Sequence, residues 1–345
     1  MASQWRRVTT VFCSTIIPTI GRATLSRAVE SVLQQEPAQA EFEVIVVNDS
    51  GKPLQQASWQ RSERVQVIHT ARRERSVARN TGAAIARGAY LHFLDDDDYL
   101  APNAFEHLWA LSRTGTAKTS AAKWLYGHTQ LVDRQNNPLL RLRHGLNGNC
   151  FIQAMAGEWI PLQSSLIDRQ TFFRLGGFNP SLAGPEDIDL LRRLLLEDEI
   201  AETPHVVACV LTGVEGSTTD YLHHAEGSRW ARESILNAPN AYHAMRLSSV
   251  DPFWQGRMLR VYLTSMAWNI EHRRPFQAMS RAGFAMRSLL AARRGIASPT
   301  FWRAAARPYA SATFRRGIQE AAMQGQAVDS SPRLSEQAHA MEYSL

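Results

Sequence analysis

Four consecutive aspartates, Asp95-Asp96-Asp97-Asp98, close an apolar run at residues 89–94. Carboxylates this close repel one another unless a cation or hydrogen-bond donors offset the charge. Their hard oxygens suit Mg²⁺ or Mn²⁺, and an ion that keeps open positions can hold a diphosphate. An acidic turn with Asp98 as N-cap of a helix starting near Pro102 is the other reading. Asp49 ends a second apolar run, so in a parallel sheet it emerges at the same ligand-binding edge; Asn48-Asp49-Ser50-Gly51 also has the composition of an Asx turn. Pro185-Glu186-Asp187-Ile188-Asp189 opens a third segment, where acids complement a helix dipole or present a general base. Arg79 precedes the aspartates in a helical segment and either reaches a phosphate or base or lies on a solvated face.

The elements that must position these groups alternate in kind. Strands are expected at 8–17, 44–47, 65–69 and 89–94, with helices at 25–33 and 76–87 between them, the second closed by Gly88. This βαβ pattern predicts an α/β fold with a mostly parallel sheet. Beyond it come a helix to Leu111, strands at 123–132 and 139–143 around Asn136-Asn137-Pro138, a block at 164–168, a helix after Pro185 and a final strand at 206–211. From about Ser228 the pattern is helical, and the residues from Gln324 onward read as a frayed tail.

The 345 residues carry 44% hydrophobic and 20% charged side chains, near the globular average, which excludes wholesale disorder and fibrous chains. Three distant cysteines fit neither a disulfide framework nor paired zinc ligands, and imply a reducing compartment. The net charge of +6 suggests an anionic partner. Between Arg229 and Arg316 stand 15 arginines against three acids, Glu233, Asp251 and Glu271, so the excess sits in the last third. The first 17 residues superficially resemble a secretory leader, but hydroxyl residues interrupt the run and no convincing cleavage site follows Pro18. No segment reaches the roughly 18 apolar residues of a spanning helix. Walker, dinucleotide-binding, zincin and nucleophile-elbow motifs are absent.

Taken together, the motifs resemble the inverting family-two glycosyltransferases of GT-A fold. The resemblance rests on Thr15-Ile16-Ile17-Pro18-Thr19 with Gly21-Arg22, on Val46-Val47-Asn48-Asp49-Ser50, and on Ala78-Arg79-Asn80-Thr81-Gly82 with Ala86-Arg87-Gly88. Phe93-Leu94 with the aspartates covers the Asp-x-Asp motif, and Gly176-Gly177-Phe178 followed by Glu186-Asp187 matches the acceptor block. It spans about residues 8–217 and implies a Rossmann-like sheet flanked by helices, with a mainly helical C-terminal extension. The implied division is 1–222 for the transferase (nucleotide half to about 115, acceptor half from 116), then 223–323, then the tail 324–345.

The resemblance further implies transfer of one sugar from a nucleotide-diphosphate sugar to an acceptor hydroxyl, with inversion and with Mn²⁺ or Mg²⁺. Thr15, Pro18, Asp49, Arg79, Asp95 and Asp96 would bind the donor, Asp95 and Asp97 the metal, with His224 a weaker third ligand. Asp187 would be the base, assisted or oriented by Glu186. The Asp96/Asp98 register is the alternative to Asp95/Asp97, and Phe93-Leu94 favours the latter. Without a Gln-x-x-Arg-Trp motif, a processive synthase is not expected. The implied acceptor is a glycan, a lipid-linked or a small molecule, the setting bacterial surface-glycan synthesis, and the location cytoplasmic or on the inner membrane face. A catalytically silent nucleotide-sugar or glycan-binding module of the same fold is the rival reading. The basic third reads either as a helical cap with core tryptophans or as a peripheral surface facing anionic lipid, with Trp230, Trp254, Trp268 and Trp302 as anchors; no nucleic-acid partner is expected.

Overall fold

The computed structural model describes residues 11–37, 40–70, 74–114, 122–182, 184–212, 221–245, 250–306, 319 and 323, with backbone only at 221–225, 242, 243 and 294. Residues 1–10 and the expected tail lie outside the described residues, as do the side chains of His223 and His224.

Strand β1 (Val11–Thr19) is buried along nearly all of its length, as a strand covered on both faces must be. It pairs in parallel with β2 (Glu41–Asn48) and β4 (Tyr90–Phe93), and β2 carries β3 (Val65–His69). The crossover helices are α1 (Leu25–Leu33) and α2 (Arg75–Ile85). Alternation along β2 serves both: Val44 and Val46 join the cluster that holds Leu25, Ala28, Val29 and Val32 of α1. Ile45 and Val47 join the one that holds Ala78 and Ala83 of α2.

The sheet continues in the order β3-β2-β1-β4-β8-β6-β9-β5, with β7 added to β6. Strand β8 (Ser165–Asp168) runs antiparallel to both β4 and β6 (Trp124–Val132), so β6 regains the direction of the first four strands and β9 (Ile200–Leu211) shares it. The expected mostly parallel sheet is present, with β5 (Tyr99–Leu100), β7 (Pro138–Leu142) and β8 reversed. One edge therefore gathers the carboxyl ends of β1, β2, β4, β6 and β9 together with the start of β8. That edge carries the site.

The structure corrects several expectations. Strand β9 begins at Ile200 instead of 206, because irregular register at Gly127/His128 and His128/Thr129 accommodates Pro204 within the strand. Helices α4 (Phe151–Met155) and α5 (Arg169–Arg174) and the two-residue β5 are too short to show periodicity. Asp98 is no helix cap: α3 (Ala104–Ser112) follows Asn103, which adopts a left-handed φ of 60°, and Asp98 instead accepts a hydrogen bond from the Leu211 amide.

Helix α6 (Glu186–Leu195) precedes β9, and after β9 come α7 (Tyr221–Leu236), α8 (Ala241–Ala244), α9 (Pro252–Glu271), α10 (Pro275–Ala292) and α11 (Pro299–Ala306). Met258, Leu259, Tyr262, Ala285 and Phe301 belong to the same apolar cluster as Ile45 and Phe93, so these helices cover one sheet face. Asp251 caps α9 by accepting from the Phe253 and Trp254 amides, with Pro252 inside the first turn. A buried Arg281–Glu233 ion pair, joined by Ser265 and Asn269, ties α10, α7 and α9 together. The tryptophans divide: Trp268 is buried, Trp254 half-buried, and Trp230 and Trp302 are exposed.

Between α2 and β4 the chain passes so close to β1 that a Cβ on Gly88 would stand 2.5 Å from the Ser14 nitrogen and 2.6 Å from the Cys13 carbonyl carbon. Those neighbours are central-strand backbone and cannot yield. Gly88→Ala is expected to lower unfolding free energy by about 1–3 kcal/mol, read as a lower urea midpoint at unchanged slope.

Candidate active site

The loop after β1 grips the aspartate run. Thr19 Oγ1 donates to Asp96 Oδ2 at 2.5 Å and accepts from the Gly21 amide at 2.9 Å. Gly21 has φ +86°, a left-handed conformation that suits glycine. Arg22 then reaches Asp96 at 2.7 Å and Asp97 at 3.4 Å, and Arg27 donates to the Asp97 carbonyl at 2.7 Å. Burial opposes the charge of Arg22, yet Asp96 and its neighbours hold the guanidinium's pKa above its ordinary value. Asp96 is thus buried and occupied by Thr19 and Arg22, although it still lines the cleft.

Asp95 points the other way. It accepts from Arg79 at 2.6 Å and from Gln163 Nε2 at 3.0 Å. Burial would raise its pKa, but Arg79 and then Arg75 hold it below the usual carboxylate range. Burial and the charge of Asp95 push Asp97 up to about 6, and burial followed by Asp95 and Asp97 pushes Asp98 well above its ordinary value. Oxygens of Asp95, Asp97 and Asp98 lie within 4.8 Å of one another. Three hard oxygens, two of them on carboxylates whose ionised forms burial and crowding disfavour, fit Mg²⁺ or Mn²⁺. Asp98 thereby joins the candidate ligands, a position that the Asp95/Asp97 register passed over.

Asp49 makes two fixed bonds, accepting from Thr70 Oγ1 at 2.7 Å and from the Glu74 amide at 2.6 Å. The Asx turn expected of it belongs to Asn48, whose Oδ1 accepts from the Ser50 amide. Glu74 caps α2 by accepting from the Ser76 and Val77 amides, so Asp49 anchors the helix that carries Arg79. Arg79 is buried. One arm bonds Asp95 and the other bonds Glu186 Oε1 at 2.8 Å, with its pKa raised because these carboxylates outweigh burial. The next residue, Asn80, donates to the Phe178 carbonyl at 2.8 Å and accepts from the Phe178 amide at 3.0 Å, pinning the Gly176-Gly177-Phe178 turn.

Two cavities adjoin at Arg75, Asp95, Gln163 and Val210. The larger, about 360 Å³, is lined by Pro18, Thr19, Arg22, Asp49 and all four aspartates. The smaller, about 190 Å³, is lined by Arg79, Glu186, Asp187 and an apolar wall that includes Leu131, Leu142 and Trp159. Burial and the neighbouring Glu186 charge push Asp187 up to about 6.

Thr15 is the sequence-derived site residue that the structure keeps away from both cavities. It is buried in β1 with its hydroxyl 3.1 Å from His92 Nδ1, while His92 Nε2 lies 2.9 Å from the Gln163 carbonyl. Burial lowers the His92 pKa to about 4, so the ring is neutral at pH 7. Nε2 then donates to the carbonyl and Nδ1 accepts from Thr15. Thr15 therefore supports the cleft from beneath, through His92 and Gln163 to Asp95. Sequence reasoning missed Arg75 and Gln163. Gln163 lies far from every acidic motif, and only the reversal of β8 brings its start to the edge.

Residues 14–156 match the family model described as glycosyl transferase family 2. Over this stretch the chain is similar to the family-2 glycosyltransferases. An uncharacterized glycosyltransferase of Haemophilus influenzae is 28% identical over 264 residues, covering 68% of this chain and 85% of its own. The poly(ribitol-phosphate) beta-N-acetylglucosaminyltransferase TarP of Staphylococcus aureus is 29% identical over 117 residues, 32% of this chain and 36% of its own. The crystal structure of S. aureus TarS 1–349 in complex with UDP-GlcNAc superposes with a TM-score of 0.55 at 14% identity, covering 92% of this chain and 93% of that one. That likeness shows the GT-A fold. The matched region contains the aspartate run and Arg79, while Glu186 and Asp187 lie beyond it.

Removing the Arg79 guanidinium leaves the Glu186 carboxylate buried and Asp95 without its main partner. Arg79→Met is expected to cost about 3–5 kcal/mol, measured by urea denaturation, with Arg79→Lys recovering part of the loss.

Proposed function

We propose that this chain transfers a single sugar from a nucleotide-diphosphate sugar to an acceptor hydroxyl with inversion. The observation that carries the reading is the pair of adjoining cavities, one rich in carboxylates and the other lined by Asp187, which share Arg75, Asp95, Gln163 and Val210 in their walls. The larger cavity is the donor side, with Pro18, Asp49 and the aspartates around the nucleotide, and Arg22 and Arg75 as its cations. Asp95, Asp97 and Asp98 would hold Mg²⁺ or Mn²⁺, which supplies charge stabilisation to a departing diphosphate. The solved neighbour with UDP-GlcNAc makes a uridine donor the first to test. The TarP relative's name supports a polyol or glycan acceptor of a bacterial surface polymer.

In this reading an acceptor hydroxyl enters the smaller cavity and gives its proton to an Asp187 carboxylate oxygen. Its oxygen forms the new bond to the anomeric carbon as the bond to the nucleotide diphosphate breaks and that electron pair leaves with the diphosphate. Attack from the face opposite the leaving group inverts the centre. Glu186 acts through position and charge: held by Arg79, it fixes the start of α6 and raises the proton affinity of its neighbour. Trp159 and the leucines exclude water from the attacking side.

Calorimetry of UDP, GDP, dTDP and CDP with and without Mn²⁺ tests the donor side. One nucleotide should bind in a metal-dependent way and lose that dependence in Asp97→Ala; absence of binding by all four sinks the assignment. Asp187→Asn should lower kcat by at least about a thousandfold with nucleotide affinity within about threefold of wild type. A variant that still turns over normally would remove Asp187 from the chemistry. Because the base must be ionised and burial raises its pKa to about 6, kcat/KM should fall as pH drops below about 6 with unit slope in the logarithmic profile.

A further inference from the structure

Helix α10 carries large apolar side chains on both its inward and its outward side. Its fully buried residues, Ala278, Arg281, Ala285, Ser288 and Ala292, are small or polar, with Phe284 and Leu289 half-buried against the apolar cluster beside them. Its outward face carries Phe276, Met279, Met286 and Leu290, exposed by 82%, 72%, 60% and 70%. A surface helix ordinarily turns its large apolar side chains inward. With Gly283 these residues fall at 276, 279, 283, 286 and 290, a spacing of three and four that keeps them on one stripe for the whole helix. A Cβ built on Gly283 would meet nothing within 4 Å, so the middle of the stripe is open. Ile270, at the end of α9 just before α10, is exposed by 61% and extends the apolar surface across the short turn. Scattered exposed apolar side chains need no explanation, but a continuous stripe does.

The charges around the stripe select what covers it. From residue 275 to 306 the sequence holds five arginines and not one Asp or Glu. Arg287 and Arg293 are exposed on α10 and at its end, and Arg273 is exposed just before it. Pairing of two copies through this helix would bring two arginine-flanked surfaces together, with Glu271 beside Ile270 as the nearest acid in the sequence, and like charges oppose that. An anionic surface that accepts apolar side chains satisfies both features.

We propose that the outward face of α10 docks the protein on a membrane surface carrying anionic headgroups, with Phe276, Met279, Met286 and Leu290 entering the interface and Arg273, Arg287 and Arg293 meeting the headgroups. The proposal does not depend on the donor or acceptor assignments, since none of these residues lines either cavity. It also shifts the anchoring role from the tryptophans to α10.

The test is co-sedimentation of the full chain with phosphatidylcholine vesicles with and without one third phosphatidylglycerol, at low and high salt. Partitioning should be at least tenfold stronger on the anionic vesicles and weaken with salt. The variant Phe276→Ser/Met279→Ser/Met286→Ser/Leu290→Ser should lose at least tenfold of it, while nucleotide binding and the melting temperature stay at wild-type values. Should the quadruple variant melt early, Phe276→Ser/Leu290→Ser repeats the comparison, and Arg287→Glu should reduce the anionic preference. Wild type that stays in the supernatant with both vesicle types, or a serine variant that pellets as wild type does, overturns the proposal. Sedimentation velocity showing a wild-type dimer that the serine variant dissolves, without vesicle binding, overturns it in favour of a self-interface.

Discussion

A guanidinium buried between two carboxylates has to keep both, because the interior offers no water to replace either. Arg79 is in that position, and much of the cleft follows from it. One arm holds Asp95 at the end of β4, the other holds Glu186 at the start of α6, and Asn80 beside it fixes the Gly177-Phe178 turn that leads into that helix. Carboxylates on two sides of the cleft are thus set at a fixed separation by adjacent residues of α2. The start of α2 is held in turn by Asp49 at the end of β2, through the Glu74 amide. The strand ends, the start of α2 and the start of α6 form one connected polar framework over a sheet packed on both faces.

The electrostatics divide along the same line. Asp95 and Asp96 have protein cations as partners, whereas burial and the neighbouring carboxylates push the Asp97 and Asp98 carboxyls up. The run is therefore two paired carboxylates that shape the loop and two whose charge is less well compensated. Asp95 is paired with Arg79 and also lies within 4.8 Å of the Asp97 and Asp98 oxygens, at the junction of the two cavities.

How much of this was legible in the sequence depended on range. The first four sheet strands and both crossover helices show in local periodicity, since each is a continuous apolar run or a three-and-four pattern. Asp49, the aspartate run and Glu186-Asp187 were legible because charge at the end of an apolar strand or the start of a helix is locally unusual. Partners were not legible. Arg79 reads as a phosphate ligand until the fold brings Glu186, 107 positions later, within 2.8 Å of it. Thr15 reads as a cleft residue because it lies in the right motif, but it sits in the middle of β1 against His92, and Thr19, at the end of the strand, reaches the cleft. Gln163 carries no local signal, because its position depends on the direction of a strand. The exposed apolar stripe of α10 was equally hidden, since a helical period reveals which residues share a face but not which face is covered.

Leu131, Leu140 and Leu142, with Leu139, Trp159 and Val210 against them, form a small apolar cluster of their own beside the β6–β7 hairpin, apart from the two clusters that fill the faces of the sheet. Four of these side chains also line the smaller cavity. The wall around Asp187 is therefore insulated from the packing on which the rest of the fold relies. Such a partition lets an ancestral scaffold diversify: the hairpin can drift in size and shape between lineages, changing what is admitted, while the strands that carry the carboxylates remain under unrelated selection.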